Sequence, residues 1–384
     1  MPPSRGVAVL GATGSIGTSC LEVLAAHRTR LHAVGLAAHR NWQRLREQAA
    51  QFHPRWVVVT DATQATACSE ASADHFTRWY FGEEILSQLV RQPEVDTVVC
   101  AIVGAAGLKS AWAAIEAGKR LALANKETLV VAGPLISRRC AETGAQIIPV
   151  DSEHSAIFQA LQGGRRNEVR KIILTASGGP FRGWTRQQLR DVSVAQALHH
   201  PTWTMGRKIT VDSATLMNKA LEIIEARWLF QLEPEQIEIA IHPQSVVHSL
   251  VEYIDGSTLA QLSPPDMKLP IQYALTYPER WPGISPRMTW NQRFELTFEP
   301  PDREAFPAIA LGYEVARRGG TCGAVLNAAN EVAVQRFLEG TLRFDQIVDA
   351  CRDVLHHHSY DPQPTLDQLW RLDAWAREET WRWK

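Results

Sequence analysis

The sequence predicts an α/β protein: a doubly wound parallel sheet, then a mixed α+β domain, then a helical C-terminal domain. Three observations carry this reading. Over the first 150 residues, continuous apolar runs of strand length alternate with helix-length amphipathic stretches. Strands buried on both faces by helices read in this way, and such strands are parallel. Strand-like runs then mix with a long helical pattern, and the last stretch of the chain carries helical periodicity alone.

The elements follow in order. Val7–Leu10 is an apolar run that ends at Gly11-Ala12-Thr13-Gly14-Ser15-Ile16-Gly17, and Thr18–His27 reads as a helix. Leu31–Leu36, Trp56–Val59, Thr97–Val103, Leu121–Ala124 and Ile147–Val150 continue the strand series. A glycine-rich turn between a first strand and a first helix gives the Rossmann-like arrangement, in which backbone and helix N-terminus approach a pyrophosphate. Beyond it, Lys171–Thr175, Ile237–Ile241 and Val246–Tyr253 are strand-like, and Ser213–Phe230 reads as a helix. Pro and Trp cluster between Tyr277 and Pro307, which suggests a crossing segment. Ala324–Leu338, Phe344–His357 and Thr365–Trp383 read as helices, the last opened by a capping box of Thr365 and Gln368. The expected divisions are 1–150 for a nucleotide-binding domain, 151–276 for a central domain with the substrate site, 277–302 for a linker and 303–384 for the helical domain.

Composition narrows the function classes. The 384 residues include 45% hydrophobic and 21% charged side chains, with a formal net charge of −1. A nucleic-acid or anionic-membrane partner is not expected from such a balance, so an anion site must be local. Cys20, Cys68, Cys100, Cys140, Cys322 and Cys351 form no CxxC pair. They point to a reducing compartment. Met1–Arg5 leads straight into a strand without a signal-like apolar stretch, so a bacterial cytoplasmic protein is expected.

Several segments carry chemistry. Gly11 to Gly17 has GxxGxxG spacing where a dinucleotide would bind. The end of the second strand, Ala37-Ala38-His39-Arg40-Asn41, has no carboxylate for a ribose 2′-hydroxyl and offers a cation instead. That favours the 2′-phosphate of NADP over NAD, unless Arg40 is an ordinary surface residue. Asn125-Lys126-Glu127 follows a strand, either facing the ligand crevice or capping a helix. Val150-Asp151-Ser152-Glu153-His154 sets two carboxylates at i and i+2, on one face if the strand continues. Asn218, Lys219 and Glu222 share a helix face. Asp151, Glu153 and Glu222 are hard oxygen donors suited to Mg²⁺ or Mn²⁺, against the alternative that Glu222 lies on a solvated face. His154 reads as structural. Ser177-Gly178-Gly179-Pro180 is an anion nest or a plain turn. In His199–Lys208, Trp203 is a lid residue or a core one. His356-His357-His358 diverge around a helix and read as a solvated helix end.

Together these segments resemble the 1-deoxy-D-xylulose 5-phosphate reductoisomerase family. The resemblance rests on GATGSIG, ALANKE, PVDSEH, ASGGPF, HPTWTMGRKITVDSATLMNK, EARWLF, IHPQSVVHS and LNAANEVAV in that order, from the glycine loop to at least Val334. One departure stands at His39-Arg40, where a small residue followed by Lys is common. The resemblance implies an NADPH-dependent enzyme of non-mevalonate isoprenoid synthesis, typically a homodimer, that acts on a small sugar phosphate. It implies metal ligands at Asp151, Glu153 and Glu222, and substrate contacts at Lys126, Ser152, Ser177, His200, Ser213, Asn218 and Lys219. Trp203 would join them as a lid over the substrate. Cofactor contacts are implied at Thr13, Gly14, Ser15, Ile16, His39, Arg40, Asn41, Asn125, Glu127 and Gly206, with Met205 beside the last. The active-site loop corresponds to about Ala197–Lys208. Lys126 and His200 join the three carboxylates as the expected catalytic set. Two rivals are another NADP-dependent oxidoreductase, such as a semialdehyde dehydrogenase with a nucleophilic cysteine, and a non-catalytic NADP-binding sensor.

Overall fold

Strand runs without polar interruption close into a seven-stranded parallel sheet in the computed structural model, which describes residues 4–69 and 77–384. Met1–Pro3, part of the N-terminal stretch expected to lead into the first strand, lie outside the described residues. The strands are β1 (Arg5–Leu10), β2 (Leu31–Ala38), β3 (Trp56–Val59), β4 (Arg78–Phe81), β5 (Thr97–Cys100), β6 (Arg120–Leu123) and β7 (Gln146–Pro149). Their order is β4-β3-β2-β1-β5-β6-β7, with every pair parallel. Val7–Leu10 and Val98–Cys100 are fully buried, as continuous apolar runs in a covered sheet require. The order reverses between β1 and β5, so the loops after these strands flank the switch point where α/β sheets take ligands.

A second sheet has the order β11-β10-β8-β9, with β8 (Val169–Ala176), β9 (Ile237–Ile241), β10 (Val247–Tyr253) and β11 (Thr258–Leu262). β9 is parallel to β8, and β10 is antiparallel to both of its neighbours. Its apolar face shares one core with the helices Met217–Leu229, Ala308–Arg318, Cys322–Leu338, Gln346–His357 and Leu366–Arg382. The Thr365–Gln368 capping box is present.

The residues fall into two compact units, each drawn from three separate stretches. The first holds Met1–Asn125, Arg138–Ser155 and Asp266–Ser285; the second holds Lys126–Ser137, Ala156–Pro265 and Pro286–Lys384. Helix Glu127–Thr143 changes membership near its kink, where Ala132 leaves helical geometry two residues before Pro134. Proline lacks the N–H and crowds the preceding turn, which accounts for the break. The expected linear boundaries at 150, 276 and 302 therefore meet an interleaved chain.

Other expectations change in detail. The Thr97–Val103 run is a strand only to Cys100, and residues beyond it form a loop. The single helix expected over Ser213–Phe230 is two helices, Arg207–Ala214 and Met217–Leu229, parted at Leu216 (φ 56°). The 277–302 stretch has almost no regular structure, apart from an isolated bridge between Ile241 and Glu299. His358 is buried, bonded to Thr321 and the Leu355 carbonyl, so only His356 and His357 fit the solvated helix end. Among the described residues no helix is long and apolar enough to cross a membrane.

Candidate active site

In the first unit, the candidate residues gather at the C-terminal edge of the parallel sheet. Gly11 leaves β1 with φ 88°, and Gly14 N-caps helix Ser15–Ala26 without a side-chain cap. A β-carbon at Gly17 would stand 2.3 Å from the Gly11 carbonyl oxygen, so only glycine lets the helix start this close to the strand. Gly14 and Ser15 are exposed, and the first-turn N–H groups near them suit a phosphate. The loop after β5 presents Val103 with 74% exposure across the switch point, an apolar shelf that the strand reading of Thr97–Val103 concealed.

The β2 end is more constrained than the sequence suggested. Arg40 Nε donates to Asp61 Oδ2 at 2.7 Å, and His39 Nδ1 lies 3.1 Å from Thr60 Oγ1. Asp61 itself is held to about 2, first by its bonds to Thr63 and then by Arg40. Arg40 remains largely exposed. Asn41 caps helix Trp42–Phe52 by accepting from the Arg44 amide. Arg44 was missed in the sequence; it donates to Thr18 Oγ1 at 3.1 Å, which brings a second cation toward the first turn of the glycine-loop helix. Asn125 is buried, its amide donating to the carbonyls of Ile102 at 2.6 Å and Gly104 at 2.8 Å. It braces the loop after β5.

Asp151 and Glu153 follow β7, but their shared orientation does not come from strand alternation as expected. Helix Ser152–Ala160 begins at once. Asp151 Oδ1 accepts from the amides of Glu153 at 3.1 Å and His154 at 3.4 Å, and lies 3.1 Å from His154 Nδ1. An aspartate there satisfies first-turn N–H groups, so helix formation outcompetes strand continuation. Ser152 Oγ donates to Glu153 Oε2 at 2.7 Å, and His154 is fully buried.

In the second unit, Glu222 has 0% exposure. Its Oε1 accepts from Lys126 Nζ at 3.1 Å and from the Asn218 amide, and its Oε2 pairs with Lys219. Lys126 also donates to Asn218 Oδ1 at 2.7 Å. The solvated-face reading of Glu222 therefore fails: a carboxylate and two ammonium groups form a buried cluster, and the helix face predicted from i, i+3, i+4 spacing is the one that builds it.

Ser177 directly follows β8 and leads into Gly178 (φ 86°) and Gly179 (φ 67°), both left-handed. A β-carbon at Gly179 would stand 2.8 Å from the Ser213 carbonyl, so this turn is seated on the end of helix Arg207–Ala214. Ser213 is thus at a helix C-terminus, which corrects the expected placement at an N-terminus. The N-terminus belongs instead to helix Met217–Leu229, with Asn218 and Lys219 in its first turn and no acidic residue there.

His200 joins the turn to the loop. The amides of Thr202 and Trp203 donate to its Nδ1 at 3.1 and 2.9 Å, so that nitrogen carries no proton. The proton of the neutral ring is then on Nε2, 3.1 Å from Ser177 Oγ. Burial lowers the His200 pKa and supports this neutral form. Ser177 Oγ accepts from His200 and from the Gly179 amide at 3.2 Å, which leaves its own hydrogen to donate to an anion. Trp203 is half-buried in the irregular loop, its ring centroid 6.4 Å from that of His248, so it is not a core residue. Met205 is half-buried, and Gly206 begins helix Arg207–Ala214.

Comparison with known proteins shows the family and the fold. A 1-deoxy-D-xylulose 5-phosphate reductoisomerase model matches residues 7–133, and two C-terminal domain models of that enzyme match 147–230 and 262–379. The chain belongs to the 1-deoxy-D-xylulose 5-phosphate reductoisomerase family. Relatives with that name include one from Rhodopirellula baltica, 47% identical over 98% of this chain and 94% of its own. Another, from Symbiobacterium thermophilum, is 50% identical over 97% of each chain. The reductoisomerase of Zymomonas mobilis in complex with NADPH superposes with a TM-score of 0.92 at 41% identity and 98% coverage of both chains. A reductoisomerase solved with NADPH, fosmidomycin and magnesium gives 0.92 at 40% identity, also with 98% coverage of both.

Proposed function

We infer that this chain is an NADPH- and divalent-metal-dependent 1-deoxy-D-xylulose 5-phosphate reductoisomerase, forming 2-C-methyl-D-erythritol 4-phosphate in non-mevalonate isoprenoid biosynthesis. The observation that carries this beyond family membership is the buried cluster of Glu222, Lys126, Lys219 and Asn218, in the same unit as the Ser177–His200 pair. A binding-only sensor has no need to desolvate so many charges. The cysteine-nucleophile rival loses its support as well: burial pushes the thiols of Cys20 to about 12, of Cys140 and Cys322 to about 11, and those of Cys68 and Cys351 upward too.

Asp151, Glu153 and Glu222 are the proposed metal ligands, an all-oxygen set that suits Mg²⁺ or Mn²⁺. A bound divalent ion would supply Lewis-acid polarisation and a template for the substrate's oxygens. The protein's own residues do the rest. Ser177 with its free hydrogen, Ser213, Asn218, Lys219 and the N-terminus of helix Met217–Leu229 support a phosphate cradle. Binding energy gathered there holds the reacting carbons in place. Lys126 reaches both Asn218 and Glu222 and is poised to stabilise developing negative charge on oxygen. Ser152 holds Glu153, and His200 with Trp203 forms a lid that excludes water. Thr13, Gly14, Ser15, Ile16, His39, Arg40, Asn41, Asn125, Glu127, Met205 and Gly206 are the proposed cofactor contacts.

The family habit of a homodimer is proposed here too. Leu259 is exposed on the edge strand β11, which leaves an apolar strand edge that a second copy would cover. The reading is tested by following NADPH oxidation with and without 1-deoxy-D-xylulose 5-phosphate, and with and without Mg²⁺ or Mn²⁺. Oxidation should require both; oxidation that ignores the substrate or the metal would overturn the assignment.

A further inference from the structure

Lys208 lies at the C-terminal root of loop 197–208 and belongs to none of the binding groups above. Its Nζ stands 2.8 Å from Asp212 Oδ2 and 3.1 Å from Glu127 Oε1. Both carboxylates are buried, Asp212 at 1% exposure and Glu127 at 7%. Asp212 Oδ1 accepts from Asn330, itself fully buried, at 2.9 Å. One ammonium therefore sits between two desolvated carboxylates from separate segments. Each carboxylate is the sequence neighbour of a proposed substrate contact. Glu127 follows Lys126, whose ammonium meets Asn218 and Glu222. Asp212 precedes Ser213, which faces the Gly179 turn.

We infer that Lys208 is a positioning residue for the reaction: its ammonium clamps Glu127 to Asp212, and so sets Lys126 and Ser213 in register with each other and with the root of the loop. The inference rests on the reductoisomerase reading for its kinetic consequence. The physical case is that two buried like charges repel unless a cation lies between them. Without it, the backbone at 126–128 and 211–213 is free to part. A displacement of about 1 Å at a reacting group costs on the order of a hundredfold in rate. The loop gains a fixed pivot from the same bond, because Lys208 lies in the first turn of helix Arg207–Ala214, directly after the irregular stretch. A lysine serves two separate carboxylates better than a bidentate group would, since its three donors diverge.

The test compares Lys208→Met and Lys208→Arg in the full-length protein, with kinetics and amide hydrogen exchange. Lys208→Met should lower kcat by roughly tenfold to a hundredfold while changing the substrate KM much less. Exchange should quicken within 126–131 and 206–215 while the rest keeps its protection. Lys208→Arg should restore most of both. Should Lys208→Met fail to fold, its combination with Asp212→Asn removes the cation and one anion together and carries the same readouts. Wild-type kcat in the folded methionine variant would overturn the inference, and so would exchange that rises evenly across the chain without rescue by arginine. Absence of wild-type turnover would instead sink the functional reading, and the exchange pattern would still decide the role of Lys208.

Discussion

His200→Phe isolates the hydrogen bonds of one ring. Phenylalanine keeps a planar ring of similar bulk and deletes three contacts: the Thr202 and Trp203 amides at Nδ1, and Ser177 at Nε2. Each net bond is worth about 0.5–1.5 kcal/mol, and a half-buried site lets water replace part of it. The low end of the sum, about 1.5 kcal/mol, makes opening of the 200–203 turn about tenfold more frequent. Amide exchange at Thr202 and Trp203 should quicken by about that factor. His200→Asn should keep those two amides slow, because its Oδ1 can stand where Nδ1 stood, yet still lose Ser177. Protonation provides the same perturbation without mutation. Burial lowers the native pKa of His200, so the opened chain binds more protons in the window below its ordinary value of about 6.5. The turn's stability is whole above that value and is lost as pH falls through the depressed native pKa. Exchange at the two amides, corrected for intrinsic rate, should therefore rise on the acid side. If His200→Phe leaves both amides as slow as in the wild type, the capping role and the tautomer assignment derived from it are wrong.

Glu222→Gln leaves Lys126 and Lys219 buried without their shared carboxylate, so denaturant stability should fall by about 3–5 kcal/mol. Turnover should fall sharply and the Mg²⁺ or Mn²⁺ titration should shift; full activity with an unchanged titration rejects the ligand role. Arg40→Asp sets a second carboxylate beside Asp61, and NADPH affinity should drop far more than NADH affinity, read by direct titration of each; equal losses dismiss the 2′-phosphate role. Gly17→Ala forces a β-carbon against the Gly11 carbonyl oxygen at 2.3 Å. The overpacking should cost about 1–3 kcal/mol in thermal unfolding and weaken NADPH binding, and an unchanged melting curve would show that the glycine is not required.

The parallel sheet was legible because burial on both faces leaves unbroken apolar runs, as in Val7–Leu10 and Trp56–Val59. β4 escaped notice since Arg78-Trp79-Tyr80-Phe81 is partly exposed at the sheet's edge, and β11 escaped for the same reason. The Asn218–Lys219–Glu222 face was readable because helical spacing holds within one helix. The start of that helix was misplaced because Leu216 adopts a left-handed conformation that leucine does not advertise. Asp151 and Glu153 were singled out for sound chemical reasons but on the wrong local geometry. Only half of the Lys208 contact follows helical spacing, the pairing with Asp212 at i+4; its other partner, Glu127, is 81 residues away and was hidden. Asp61 as partner of Arg40 was hidden likewise, lying 21 residues beyond it on the loop after a different strand.

Helix Lys268–Thr276 covers helix Ser15–Ala26 within the first unit, with His27 Nε2 3.2 Å from Gln272 Oε1 and Lys268 paired to Glu22. These partners are 245 residues apart. A ribosome adding about 5–20 residues per second needs roughly 12–50 s to cover that distance. The parallel sheet is complete in sequence once Pro149 is made, so for roughly the second half of that interval it lacks its cover while the second unit's middle stretch emerges. Newly made chains therefore pass through a long sticky stage, in which a holding chaperone or low temperature should raise the yield. A fragment that stops at residue 150 would never leave that stage.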